Sequence, residues 1–259
     1  MMSPELKRRV LTGVIGGSGL LALILWGGWV GTFLFASSVS LGMAYELSEM
    51  TLHLPDKVEK RSVFLAMIWL IHWVNVWTRA EFVLLIVFFL TLFAYFLLTA
   101  SRHREEELGS HLRELMAVCF GLIYTGFIPL YFSRIYEAPH GTQWVLMSLL
   151  IVFAGDTGAY FVGMKYGKNK LYPQISPKKT QEGAVGGVLS GFFVSVGMKL
   201  LFLKSLPWAG VLIIPWIVGP VAQIGDLCES FLKRAFKTKD SGSLLPGHGG
   251  LLDRFDGVV

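Results

Sequence analysis

The segment from Gly225 to Val259 gathers the side chains with the most chemistry to offer. It holds Asp226, Asp240, Asp253 and Asp256, five basic side chains (Lys233, Arg234, Lys237, Lys239, Arg254) and His248 between two glycines. Asp226 and Glu229 are three residues apart and share a helix face, and Ser230, four from Asp226, shares it too. Asp253 and Asp256 repeat the three-residue spacing. A helix restarting near residue 250 would point both carboxylates the same way. Asp226, Asp253 and Asp256, converging from two helix ends, are then an oxygen-ligand set for a hard cation such as Mg2+. Lys233, Arg234 and Lys239 lie between them and can pair with phosphate oxygens. Gly247, Gly249 and Gly250 let the backbone come close to a ligand, and His248 can move a proton or donate a hydrogen bond. Together these residues point to phosphate chemistry.

A second polar stretch precedes it, between residues 153 and 191. Asp156 interrupts an apolar run, and a carboxylate within a membrane span is a functional candidate by default. Lys165, Lys168, Lys170, Lys178 and Lys179 follow. Ser176-Pro177 reads as a turn or helix start, which sets Lys178, Lys179 and Thr180 near a helix N-terminus suited to phosphate. Gly183, Gly187 and Gly191 recur every four residues on one helix face and predict close helix packing rather than catalysis. Neither a G-x-x-x-x-G-K-[ST] loop, nor a dinucleotide-binding glycine motif after a strand, nor a zinc motif occurs. A nucleotide here has to be held by metal, basic side chains and helix ends.

The elements that carry these residues belong in a membrane. The 259 residues are 53% hydrophobic and only 16% charged, against about a quarter charged in soluble domains. Eight spans are expected, at about 10–26, 29–50, 62–78, 81–101, 112–133, 143–164, 183–203 and 207–230, from the length a bilayer requires. The first resembles a signal peptide, but no cleavage site follows and it is read as a retained helix. With the N-terminus in the cytoplasm, nineteen of the 23 lysines and arginines fall in cytoplasmic segments, three on the other side, and Lys199 within a span. That bias supports both the count and the orientation. It also accounts for the net charge of +5 without nucleic acid. Cys119 and Cys228 sit in apolar runs with no metal-ligand spacing and read as buried thiols. Residues 1–140 read as a helical scaffold. Glu46 and Glu49 read there as charged helix ends, and His72 and Trp73 as an outer interfacial belt. Residues 141–259 read as the catalytic region, with cytoplasmic loops at 165–182 and 231–255. The fold class expected is all-α and polytopic.

The run Ser230-x-Leu232-Lys233-Arg234, then Lys239-Asp240-x-Gly242, then Leu245-Pro246-x-His248-Gly249-Gly250-Leu251-x-Asp253-Arg254-x-Asp256 resembles the diagnostic motif of phosphatidate cytidylyltransferases, or CDP-diacylglycerol synthases. The stretches around Asp156, Lys178-Lys179 and Asp226 are similar to that family as well, so the likeness covers roughly residues 150–259. It implies a multi-pass enzyme of the cell inner membrane, active on the cytoplasmic side and often homodimeric. With Mg2+, alone or with a second cation, it joins CTP and the membrane lipid phosphatidate into CDP-diacylglycerol and pyrophosphate. It implies that Asp226, Asp253 and Asp256 hold metal and that Lys178, Lys179, Lys233, Arg234 and Lys239 bind phosphates. Asp156, Asp240 and His248 would line the site, and Ser230 and Arg254 belong to the same motif. Family members continue past the equivalent of Asp256 into a final apolar helix, so a ninth span, truncated here, is also expected. Two other readings compete. A CTP-dependent kinase of a polyprenol or phytol would release CDP instead of pyrophosphate. An ion-coupled transporter would place Asp156 and Asp226 along an ion path, but transporters centre their sites between repeated halves, and no such repeat is evident.

Overall fold

A computed structural model of the chain describes residues 4–53, 56–245, 247 and 249–258, with side chains from residue 13 onward. Its helices are α1 (Pro4–Trp26), α2 (Gly28–Thr51), α3 (Lys57–Thr78), α4 (Glu81–Ala100), α5 (Leu108–Gly121), α6 (Ile128–Glu137), α7 (Gly141–Tyr166), α8 (Gln181–Leu201), α9 (Trp208–Ile213), α10 (Pro215–Ala235) and the short α11 (Leu252–Phe255). A 3-10 turn, Glu105–Glu107, leads into α5, and a π-helical stretch, Leu122–Phe127, joins α5 to α6.

Five helical stretches among the described residues are long and apolar enough to cross a bilayer: α2, α4, the run Glu105–Glu137, α7 and α8. This is the make-up of a multi-pass membrane protein. Three of the eight expected spans fall outside that set. The described apolar part of α1, Gly13–Trp26, is short. Helix α3 carries Arg61, His72 and Asn75 among its apolar residues. The expected span 207–230 is divided between α9 and α10, because Pro215 has no N–H to return to a preceding carbonyl and instead starts a new helix. The all-α expectation also misses a small hairpin, β1 (Lys170–Tyr172) and β2 (Ser176–Thr180), paired antiparallel with Tyr172 opposite Ser176. Pro173 sits in its turn, where the Ile175 N–H donates to the Tyr172 carbonyl at 3.2 Å.

The chain divides into two compact units, one of which takes in Phe33–Tyr131 together with Asp240–Leu252. In this unit α2, α3, α4 and α5 bury Met43, Leu47, Phe64, Ile68, Leu92, Phe96 and Leu122. Several polar groups are buried with them. Lys60 is ion-paired to Glu114 at 2.7 Å and lies 3.2 Å from His111 Nδ1. His72 is not in an interfacial belt. It is 1% exposed, with its two ring nitrogens 3.1 Å from the hydroxyls of Ser37 and Ser40. The Ser40 hydroxyl donates to the Thr125 carbonyl, which lies in the π-helical stretch. Such stretches shift the regular helix bonding and leave carbonyls to be satisfied from outside.

The second unit takes in Gly16–Thr32, Phe132–Lys239 and the chain from Asp253 onward. Its main seam joins α7 to α8, and the glycine stripe foreseen in the sequence makes that seam. A side chain at Gly187 would meet the Gly155 carbonyl oxygen at 2.8 Å and the Ala159 Cβ at 3.1 Å. One at Gly183 would meet the Ala159 carbonyl oxygen at 2.8 Å, and one at Gly191 would press on Ile151. Backbones therefore touch directly along the seam, as small residues permit within a bilayer. Gly187→Val is expected to force the helices apart and cost roughly 1–3 kcal/mol, the usual range for overpacking, seen as a lowered thermal midpoint in detergent. Gly197→Ala, where nothing lies within 4 Å, should leave that midpoint unchanged or slightly raised. An unchanged midpoint for Gly187→Val would show that the seam is not close-packed.

Candidate active site

The chemistry gathers in the second unit, at the hairpin and at the C-terminal end of α10. Thr180 ends β2 and caps α8, its hydroxyl accepting from the Gly183 N–H at 3.1 Å. A threonine oxygen does this because the first amides of a helix have no partner within it. Glu182, in the first turn, accepts from the Lys168 and Asn169 N–H groups at 3.1 Å and from Asn169 Nδ2 at 2.8 Å, which pins the base of the hairpin. Lys178 and Lys179 therefore lie on the strand that runs into the helix, one step before the N-terminus expected from the sequence. Adjacent strand residues face opposite ways. Lys179 pairs with Asp226 of α10, while Lys178 is exposed.

Between these elements lies a cavity of 380 Å³ whose walls include Asp156, Tyr160 and Met164 from α7, Lys178 and Lys179 from β2, Ala184 from α8, and Gln223 and Asp226 from α10. Glycine packing brings α7 and α8 close enough to share one wall, and charged side chains from α7, β2 and α10 enter a cavity that is otherwise mostly apolar. Gln223 completes it by donating to the Ala184 carbonyl at 2.9 Å.

Asp226 also belongs to a second arrangement. Asp226, Glu229 and Asp256 each offer a carboxylate oxygen, and these oxygens lie within 4.8 Å of one another. Asp226 and Glu229 come from one face of α10, as their spacing requires. Asp256 follows α11, with one oxygen held by the Gly257 N–H at 2.8 Å. The Ser230 hydroxyl reaches the Asp226 carboxylate at 3.5 Å. Glu229 is 1% exposed, and its Oε1 has no hydrogen-bond partner among the described residues. Three carboxylates this close disfavour one another's charged form, the ammonium groups of Lys179 and Lys233 offset this only in part, and a buried carboxylate oxygen without a donor is costly, so a cation among them would be stabilising. The donor set, all oxygen and all carboxylate, fits a hard divalent cation.

Lys233 stands beside this set. Its ammonium lies 2.6 Å from Glu229 and 2.7 Å from Asp253. Burial alone would lower its pKa, but the hydrogen bonds and charge of Asp253 and Glu229 outweigh burial and hold it above the usual lysine value. The lysine therefore stays charged at neutral pH. The next residue, Arg234, donates through Nε to the Ile175 carbonyl at 3.3 Å, linking the end of α10 to the hairpin.

The structure thus brings together Asp156, Lys178, Lys179 and Asp226 at the cavity, and Asp226, Ser230, Lys233, Asp253 and Asp256 around the carboxylates. The expected metal set was Asp226, Asp253 and Asp256. The close set has Glu229 in place of Asp253, which is engaged by Lys233. Glu229 was readable as a neighbour of Asp226 on one face, but its burial was not. Lys239 and Asp240 are exposed in the segment after α10, Arg254 is exposed on α11, and His248 lies outside the described residues.

A sequence model of the cytidylyltransferase family matches residues 7–259. Over 268 residues the chain is 32% identical to the phosphatidate cytidylyltransferase of Bacillus subtilis, covering 98% of the chain and 94% of that protein. It is 35% identical to the phosphatidate cytidylyltransferase of Brucella suis, over 98% of the chain and 90% of the relative. A 145-residue stretch is 42% identical to the enzyme of the same name from Staphylococcus saprophyticus, covering 56% of each chain.

Proposed function

The chain belongs to the cytidylyltransferase family, and on that premise we propose how its site performs the reaction of a phosphatidate cytidylyltransferase. The enzyme is a nucleotidyltransferase of phospholipid biosynthesis that moves the cytidylyl group of CTP onto phosphatidate, giving CDP-diacylglycerol and pyrophosphate. The observation that carries the assignment of the site is the double role of Asp226, which lines the cavity and also belongs to the close carboxylate set.

Both reactants are anions, so the first task is to neutralise charge. Lys178 and Lys179 in the cavity wall, with Lys233, Arg234 and Lys239 after α10, supply positive charge for the phosphates. Asp226, Glu229 and Asp256 would hold the divalent cation, with Asp253 beside them through the shared Lys233. A bound Mg2+ would screen the phosphates and stabilise the leaving pyrophosphate. A phosphate oxygen of phosphatidate attacks the α-phosphorus of CTP while the bond to the β-phosphate oxygen breaks. A phosphate monoester is nucleophilic near neutral pH, so the side chains serve mainly to align the two reactants in line. Asp156, Ser230 and Arg254 complete the proposed lining.

We place the site at the cytoplasmic face of the cell inner membrane, which the one-sided distribution of lysine and arginine supports. The homodimer implied by the family likeness remains part of the proposal and is tested by the mass of the detergent-solubilised protein. The deciding assay for the reaction adds phosphatidate and each labelled nucleoside triphosphate to purified protein with Mg2+. CDP-diacylglycerol and pyrophosphate should form from CTP and disappear when the metal is chelated. Formation of CDP with a phosphorylated polyprenol or phytol, and no CDP-diacylglycerol, would overturn the assignment.

A further inference from the structure

Glu46 of α2 is read from the sequence as a charged helix end, and the structure corrects that. It is 1% exposed, and its carboxylate collects donors from a segment about two hundred residues away. Oε1 accepts from the Leu244 N–H at 3.2 Å. Oε2 accepts from the Leu252 N–H at 2.8 Å and from the Ser241 hydroxyl at 3.4 Å. Gly242 lies so close to the carboxylate that no Cβ would fit, and one turn earlier on α2 Gly42 is covered by the Leu251 side chain. Between these anchor points the chain turns back on itself. Leu245 and Gly249 exchange backbone hydrogen bonds at 3.0 and 3.2 Å, and Gly247 and Gly249 take φ values of 81° and 85°, which glycine adopts without strain. One carboxylate therefore clasps both ends of the loop.

The residue type matters. All three partners are donors and divide between two oxygens, so the site calls for an acceptor-only group with two oxygens, which among side chains means a carboxylate. A glutamine would turn an NH2 group toward a backbone N–H and lose one of the two ends. If the position served only to fill space, a leucine would do as well.

We infer that Glu46 is a positioning residue for cytidylyl transfer, setting where the chain leaves the loop and thus where it delivers Asp253 and Asp256. The inference rests on the reading of the carboxylates as the reaction site. Asp253 follows Leu252 directly, and Asp256 comes three residues later. Fixing the Leu252 N–H fixes the start of the short peptide that carries both carboxylates. The lysines of the hairpin are held by other elements, so binding of CTP should be less affected than turnover.

The experiment compares unmodified enzyme with Glu46→Gln, reading kcat, KM for CTP and hydrogen exchange of peptides across the chain. Absence of CTP-dependent turnover in the unmodified enzyme would count against the proposed function and not against Glu46, whose clasp is read separately by exchange. In the unmodified enzyme the amides of Leu244 and Leu252 should exchange slowly. Glu46→Gln should lower kcat by roughly 10- to 100-fold, the scale of an ångström-sized misplacement, with KM for CTP near its original value. Exchange should speed up within residues 241–252 and not elsewhere. Should Glu46→Gln not fold, Gly242→Ala, which drives a methyl against the carboxylate, carries the same expectation. The inference is overturned by unprotected Leu244 and Leu252 amides in the unmodified enzyme. It is also overturned by full kcat in a folded variant, or by a loss of kcat matched by faster exchange throughout the helices.

Discussion

Asp256→Asn and Asp226→Asn should each lower CTP-dependent turnover on the order of 100- to 1,000-fold, the scale on which removal of one preorganised electrostatic group acts. The two variants should differ in stability. Asp226 also forms an ion pair with the half-buried Lys179, which its loss breaks. Asp256 takes its resolved hydrogen bond from the Gly257 N–H, which an asparagine oxygen can still accept. Without metal, Asp256→Asn relieves the crowding of three carboxylates and should be at least as stable as the parent. Mg2+ should reverse that order. A ligand that binds only the folded state adds about 2.7 kcal/mol at a hundred times its Kd, and the parent should gain more than the variant. Thermal midpoints in detergent with chelator and then with Mg2+ read this crossing, and turnover is measured on the same samples. Full turnover in folded Asp256→Asn, or identical responses of parent and variant to Mg2+, would remove the carboxylate set from the mechanism.

Lys60→Met is expected to be the most destabilising single change in the first unit, by about 3–5 kcal/mol. The Lys60 side chain is 1% exposed and its ammonium meets Glu114 at 2.7 Å. Removing it leaves Glu114 buried, with the His53 N–H at 3.1 Å as its remaining backbone donor. The size of the effect comes from the abandoned charge and not from the worth of the pair itself. Lys60→Met combined with Glu114→Leu should therefore recover much of the loss, since a buried pair can often be exchanged for apolar groups at little cost. A double-mutant cycle on thermal unfolding measures the coupling. If Lys60→Met alone unfolds at the parent's temperature, the pair is not buried as described.

These two sites mark where the sequence could be read and where it could not. The carboxylates of Asp226 and Asp256, the lysines of the hairpin and the glycine stripe were legible because each depends on spacing along one element or on a dense local motif. The helical, multi-pass character was legible from apolar length. Lys60 was not. In the sequence it is one more positive charge flanking a span, and its burial follows from Glu114, fifty-four residues away. Glu46 and His72 were misread for the same reason, since a polar residue near a helix end reads as solvated until its distant partners are known. The hairpin was missed because five residues containing a proline and two lysines have little strand propensity. The division of the last expected span at Pro215 could have been read from the proline alone.

That weak strand has a benefit of its own. A two-stranded ribbon consists entirely of edges, and an unpaired edge invites a strand from another molecule. β2 reads Ser176-Pro177-Lys178-Lys179-Thr180. Its proline lacks the N–H a newcomer would need, and its lysines would set like charges against those of any identical strand. The residues proposed to receive phosphate therefore also protect the ribbon from stacking on its copies, in a protein crowded on a membrane surface.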